Sequence, residues 1–219
     1  MELYHIHILG DKTDKFYKPN SEIIINKDVF NNKLYDRVMN TRFVAERKNY
    51  SDTFNYINTM CEICETPSIG ESANMADVFS VIMSIGSDEE KIKALKDVEV
   101  FLRNYSFMKR EISIEEYRKD FESNKPSRLH CLYACNEKGV NYWLNILKSN
   151  NCDIYRIDPI DEPFRTNEQL LPIETSSFIE SYNGCKRYFN PREKDLNGTS
   201  DEYLVQGKVK LLEKVYEIR

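Results

Sequence analysis

Helix signals run from about residue 52 to about residue 124, and strand patterns lie on both sides of them. That arrangement constrains the fold more than any other feature. Within the block, "SANMADVFSVIMSIG" reads as a helix stopped by Gly86, because glycine readily adopts the left-handed conformation of a helix C-terminus. "SDEEKIKALKDVEVFLRNY" opens with a capping box, Ser87 and Glu90, and sets Ile92, Leu95, Val98 and Leu102 at helical spacing. "SIEEYRKDFES" repeats the box with Ser113 and Glu116 and predicts a second helix start. The block therefore reads as a helical insertion, 52–124, within a single domain, 1–219. Its plain role is packing on a β core; its sharper role is to shape or lid a cleft.

The flanks carry the core. At the N-terminus "LYHIHIL" alternates as a strand does, and "SEIIINKDVF" holds a short apolar run. After Pro126, which ends the preceding helix, "RLHCLYAC" predicts a buried strand. Asn136 can cap the helix that follows, whose apolar face is Val140, Trp143, Leu144 and Leu147. "CDIYRIDP" predicts a strand stopped by Pro159, and "SSFIESYNGCKRYF" a helix despite Gly184. "EYLVQGKVKLLEKVYEI" predicts a hairpin turning at Gln206-Gly207, with a bulge inside one long strand as the alternative.

Composition narrows the setting. The chain is 41% hydrophobic but 31% charged, with mean hydropathy -0.61, so the surface is heavily solvated. No apolar run approaches the ~18 residues of a membrane span. "MELYHIHILG" lacks the basic and apolar regions of an export signal, which predicts a cytoplasmic protein with no membrane partner. A net charge of -5 gives no global attraction to nucleic acid. Six cysteines in such a setting are expected to be reduced thiols. Cys61 and Cys64 have C-x-x-C spacing, and His130, Cys131 and Cys135 would complete a zinc set. Small buried hydrophobes are the commoner use of free cysteine, so no metal is expected.

Three short stretches carry candidate chemistry. In "LYHIHIL", His5 and His7 share one strand face and Ile6 and Ile8 the other; if the isoleucines face the core, the histidines line a solvated groove. In "RLHCLYAC", Tyr133 shares a face with Leu129, Cys131 and Cys135, and the helix after it adds Tyr142 and Trp143, which suits an aromatic-lined cleft. In "TSDEYLV", Glu202 opens an apolar strand after a polar loop. A carboxylate there can bind a sugar hydroxyl and stabilise positive charge on an adjacent carbon, although a solvated strand-edge charge is the commoner case.

The order of these stretches resembles the ADP-ribosyltransferase superfamily. "LYHIHI" is similar to its first core strand, "CLYACNEKGVNYW" to its tyrosine strand and following helix, and "DEYLV" to the glutamate strand of its poly-ADP-ribose polymerase branch. "KPSRLHCLYA", "RYF" and "EYLVQGKVKLLE" also resemble a bacterial family of unknown function associated with that fold. The resemblance implies an α+β fold whose split antiparallel sheet opens a cleft for NAD, used as substrate. It implies catalytic roles for Glu202, His5 and Tyr133. Glu202 would stabilise the ribosyl charge, Tyr133 would stack on nicotinamide and His5 would bind the adenosine-side ribose. His7, Arg128 and Tyr142 join His5 and Tyr133 in binding NAD, with Arg128 steering the pyrophosphate or forming a structural ion pair. The implied activity is ADP-ribosyl transfer to a protein or nucleic-acid acceptor, or NAD hydrolysis, of the kind found in toxins and phage conflict. His7 stands where the polymerase branch carries a hydroxyl residue. Ser200 stands two before Glu202, where arginine- and asparagine-modifying toxins carry Glu or Gln, so arginine is not the expected acceptor. The alternative is a non-catalytic domain of the same fold that binds a nucleotide or a partner.

Overall fold

A computed structural model describes residues 2–10, 14–26, 30–39, 84, 87–148, 151–174 and 176–218. The strands are β1 (Leu3–Ile8), β2 (Ser21–Ile25), β3 (Leu132–Asn136), β4 (Cys152–Pro159), β5 (Phe164–Asn167), β6 (Asp201–Val205) and β7 (Gly207–Ile218). Among the described residues the helices are α1 (Lys33–Met39), α2 (Asp88–Phe121), α3 (Val140–Leu147) and α4 (Phe178–Phe189). The fold class is α+β, mixed helix and antiparallel sheet. The chain divides into two compact units, Met1–Met39 with Lys109–Arg219, and Asn40–Met108. The C-terminal turns of α2, from Lys109 on, belong to the first unit.

Helix α2 corrects the expected second start at Ser113. Its 34 residues contain no glycine or proline, so nothing interrupts the ladder of backbone hydrogen bonds. Ser113 does not cap; its hydroxyl donates back to the Lys109 carbonyl at 2.7 Å. The charged face is laced by pairs one turn apart, Arg118 with Glu115 and Lys119 with Glu116. Ile92 and Leu95 are exposed, so the regular apolar spacing at this end does not mark a buried stripe. The side chains of Val98 and Leu102, and the whole of "SANMADVFSVIM", lie outside the described residues.

Among the described residues seven strands form one sheet in the order β2-β7-β4-β1-β3-β6-β5, with every pairing antiparallel. Strand β1 pairs with β4 along its whole length, but with β3 only at Leu3↔Asn136 and Tyr4↔Cys135. The predicted hairpin at Gln206-Gly207 is not formed. Strand β6 lies between β3 and β5, while β7 lies between β4 and β2. Only Gln206 separates the two, so they run on as one bent strand, closer to the alternative of a bulge. The bend uses Gly207 at φ +82°, where a Cβ would stand 2.0 Å from Asp161 Oδ2. A strand shared between two ends of one sheet requires the sheet to curl. Its concave side is the main core, where Leu132, Ala134, Tyr203 and Val205 meet Leu3, Tyr155, Ile157, Val209 and Leu211.

On the other side of β3-β6-β5 lies a second core, Ile114 and Tyr117 from α2 with Cys185, Tyr188 and Phe189 from α4. Helix α4 forms as expected, with a complete capping box between Ser177 and Glu180. Two local expectations need correction. Strand β3 begins at Leu132, because Ser127 to His130 form a turn in which the His130 amide bonds the Ser127 carbonyl; Arg128, Leu129 and Cys131 therefore precede the strand. In β1 the buried face is Leu3, His5 and His7, not the isoleucine face. The histidines find aromatic and polar neighbours there that offset the cost of burying an imidazole.

Candidate functional site

Every residue of β6 is buried, and Glu202 retains 2% exposure. Tyr133 pairs with Leu204, and residues two apart on a strand share a face, so Tyr133 and Glu202 project from the same side of the sheet. That side is covered by α2 and α4. Arg128, held in the turn before β3, reaches into it and donates from Nη1 to Glu202 Oε1 at 2.6 Å and to the Tyr188 hydroxyl at 2.6 Å. Its Nε donates to Glu111 Oε2 at 3.0 Å. The Tyr188 hydroxyl donates to the same Oε1 of Glu202 at 2.5 Å. Arg110 closes the set with two bonds to Glu111 Oε1, at 3.0 and 2.7 Å. The guanidinium of Arg128 lies 5.4 Å from the ring centre of Tyr133 and 5.1 Å from that of Tyr188.

The cluster sets two guanidiniums against Glu111 and Glu202, and Arg110 also pairs with Glu174 at 3.1 Å. Burial drives the Glu111 carboxyl up, but the Arg128 and Arg110 charges outweigh it and hold Glu111 below its ordinary value. Burial raises the Glu202 carboxyl more than Arg128 and the Tyr188 hydroxyl lower it. Burial disfavours the Arg128 charge, but Glu202 and its other neighbours more than compensate and hold it firmly protonated. Removing either partner from such a pair leaves an uncompensated buried charge, which costs about 3–5 kcal/mol.

His5 approaches Tyr133 by another route. Where β1 and β3 stop pairing, His5 Nδ1 donates to the Tyr133 carbonyl at 2.7 Å, which makes Nδ1 the protonated nitrogen of the neutral ring. Its Nε2 is then a buried acceptor without a hydrogen-bond partner among the described residues. Burial depresses this imidazole to about 4. The Tyr133 hydroxyl donates to the Arg128 carbonyl at 2.9 Å, so His5, Tyr133, Arg128 and Glu202 form a continuous chain of contacts.

His7 and Tyr142 engage groups outside that chain. His7 Nε2 meets Asp14 Oδ1 at 2.8 Å, and its ring stacks on Tyr17 at 3.8 Å. Tyr142 donates to Glu168 Oε2 at 2.8 Å and packs edge-on to Trp143, whose indole N–H bonds the Asp201 carbonyl at 3.0 Å. The second aromatic pair thus pins the entrance of β6. The polar loop before β6 is itself ordered. Asn197 Oδ1 accepts from the amides of Thr199 and Ser200, while Asp201 Oδ1 accepts from the Asn197 amide and from Asn167. Asp201 Oδ2 takes two bonds from Arg165. A cavity of about 430 Å³, lined in part by Asn136, Lys138, Arg165 and Asn197, lies on this Asp201 side, opposite the face that carries Glu202.

For zinc, Cys61 and Cys64 lie outside the described residues. Among the described residues, no three His, Cys, Asp or Glu side chains gather as metal ligands. His130 instead meets the Phe30 carbonyl, and Cys131 and Cys135 are buried thiols, with Cys135 pushed up to about 12 by burial. Also among the described residues, no helix is long and apolar enough to cross a membrane.

Sequence reading misses Glu111 and Tyr188. Tyr188 sits in the "RYF" motif, which could have pointed to it. Glu111 carries no signal, being one acid among many in a charged helix.

Fold and site together define an α+β protein with a curled antiparallel sheet and a buried Arg-Glu-Tyr cluster on one face. The chain belongs to the family described as Protein of unknown function (DUF2441), whose profile matches residues 3–217. No curated protein matches the chain.

Proposed function

We propose that this chain is an ADP-ribosyltransferase or NAD glycohydrolase of the superfamily that its His, Tyr and Glu stretches resemble, with NAD as substrate. The observation that carries the reading is the adjacency of β1, β3 and β6, the strands bearing His5, Tyr133 and Glu202. Strands β1 and β3 pair at only two positions, so the sheet parts beside His5 and Tyr133. The residues fit a ribose at one point, since the buried Nε2 of His5 lacks the donor that a sugar hydroxyl supplies.

In the proposed reaction the bond from the anomeric carbon to the nicotinamide nitrogen breaks, and nicotinamide leaves with the electron pair. The acceptor oxygen or nitrogen, of a macromolecule or of water, then bonds that carbon and gives its proton to solvent. Glu202 binds a ribose hydroxyl and stabilises the positive charge on the sugar, a contribution of about 3–4 kcal/mol for a well-placed electrostatic contact. Tyr133 stacks on nicotinamide. Arg128 acts through Glu202, because Glu111, Glu202 and Tyr188 already engage its guanidinium. With Glu202 at 2% exposure, the reading requires Arg128 or the helices over it to move before substrate can reach the carboxylate.

That burial favours a second reading, a non-catalytic domain that binds a nucleotide or a partner. Calorimetry with NAD and an assay of nicotinamide release separate the two. The transferase reading expects binding, slow release, and loss of release in Glu202→Gln. Binding without release, even with candidate protein and nucleic-acid acceptors added, favours the second. Absence of NAD binding removes the transferase.

A further inference from the structure

We infer that Tyr188 is a positioning residue for Glu202, occupying Oε1 together with Arg128 and leaving Oε2 as the oxygen presented to a sugar hydroxyl. The inference rests on the transferase reading for what Oε2 does, but not for the tether itself.

Three sequence motifs, "KPSRLHCLYA", "RYF" and "DEYLV", meet at one point. They contribute Arg128, Tyr188 and Glu202, and the three polar groups form a closed triangle with sides of 2.5 to 2.6 Å. The pattern differs from that of an ordinary structural ion pair. A guanidinium serving only to neutralise a carboxylate typically grips both oxygens with its fork. Arg128 instead divides its donors, Nε to Glu111 and Nη1 to Glu202. The second donor on Glu202 is the Tyr188 hydroxyl, and it goes to Oε1 as well. Among the described residues no donor goes to Oε2. Pairing of the Glu202 charge does not call for the phenol, because Arg128 already forms an ion pair with Glu202 at 2.6 Å. What the phenol adds is direction: two donors converging from different elements fix the carboxylate plane.

Tyr188 is itself held fast. It is fully buried in the last turns of α4, flanked by buried Cys185 and Phe189. Its carbonyl accepts the Thr166 hydroxyl at 2.5 Å, which ties it to β5 beside β6. A rigid donor on a rigid carboxylate is the support a working acid group needs. Glu111 sets the strength of the arrangement. By drawing on Arg128 from the far side it keeps that cation from serving Glu202 alone, and its own charge acts on Glu202 to favour the proton. The ionisable groups that feel the Glu202 charge are thus Arg128, Tyr188, Glu111, Tyr133, Cys131 and Tyr142.

The test follows the Glu202 carboxyl by isotope-edited infrared titration, identified by difference from Glu202→Gln. Tyr188→Phe removes the hydroxyl alone and is expected to move the Glu202 midpoint upward. Incorporating 3-fluorotyrosine at position 188 keeps the packing, strengthens the donor and is expected to move it downward. In parallel, Tyr188→Phe is expected to lower kcat for nicotinamide release about tenfold to a hundredfold, the worth of a hydrogen bond to a charged group, while KM for NAD holds. An unmoved midpoint in both proteins overturns the tether; a raised KM with kcat intact overturns the positioning role of Tyr188. If the midpoint moves in both directions as expected but the protein neither binds NAD nor releases nicotinamide, the tether stands and the transferase reading falls.

Discussion

Nδ1 of His5 lies 2.7 Å from the Tyr133 carbonyl, at the place where β1 and β3 cease to pair. A side-chain N–H thus supplies the bond that the backbone of β1 no longer makes, and burial keeps the imidazole that donates it neutral. The ring is depressed to about 4 by burial, against 6.5 for a free histidine. The folded state therefore binds fewer protons than the unfolded state between those values. Stability should fall as pH drops through that window, by about 3 kcal/mol in full, since each tenfold loss of proton affinity on folding is worth about 1.4 kcal/mol. Urea unfolding followed by the single tryptophan, Trp143, measures it. His5→Asn retains a donor for the carbonyl and should remove this loss of stability at low pH; a variant that loses stability as wild type does would refute the assignment.

Arg128→Met should destabilise the first unit by about 3–5 kcal/mol at neutral pH, because Glu111 and Glu202 lose their shared cation in a buried setting. Without that cation the folded carboxyls bind protons more tightly than the unfolded ones. Relative to wild type, the variant should then recover stability as pH falls and lose it again as pH rises. A variant penalty that does not change with pH would mean the cost is packing alone.

Gly207→Ala should cost about 2 kcal/mol or more from backbone strain at φ +82°, with the Asp161 collision added to it. Asp161→Ala in the same protein should return only the collision part. Chemical unfolding of the two single variants and the double variant tests this as a cycle. If the double variant is as stable as Asp161→Ala alone, the left-handed bend between β6 and β7 is not needed.

Ser113→Ala and Ser177→Ala should differ. Ser177 is half of a true capping box, so its loss should cost about 1 kcal/mol. Ser113 lies inside α2 and only bonds back to Lys109, so its loss should cost about 0.5 kcal/mol or less. Thermal unfolding decides. Equal costs would argue for a break in α2 at Ser113.

Much of the local structure is legible in the residues. The alternation of "LYHIHIL", the stop at Pro159 and the Ser177-Glu180 box each correspond to an element that forms, because their causes act within a few residues. The extent of α2 is not legible, because Ser113 with Glu116 is a capping signal only where the chain leaves the helix, and no nearby breaker makes it leave. Nor is the burial of the histidine face, because alternation names two faces without saying which one meets the core.

The sequence by itself indicates most of the elements, in order, and the three stretches that carry Arg128, Tyr188 and Glu202, without singling out Tyr188. Tertiary structure alone decided that these motifs converge, that Glu111 joins them from α2, and that β6 and β7 serve opposite parts of one sheet. The physical reason is range. Propensity and capping are local, whereas a buried carboxylate is defined by the charges that close over it, and here those come from residues 14 to 91 positions away in the chain.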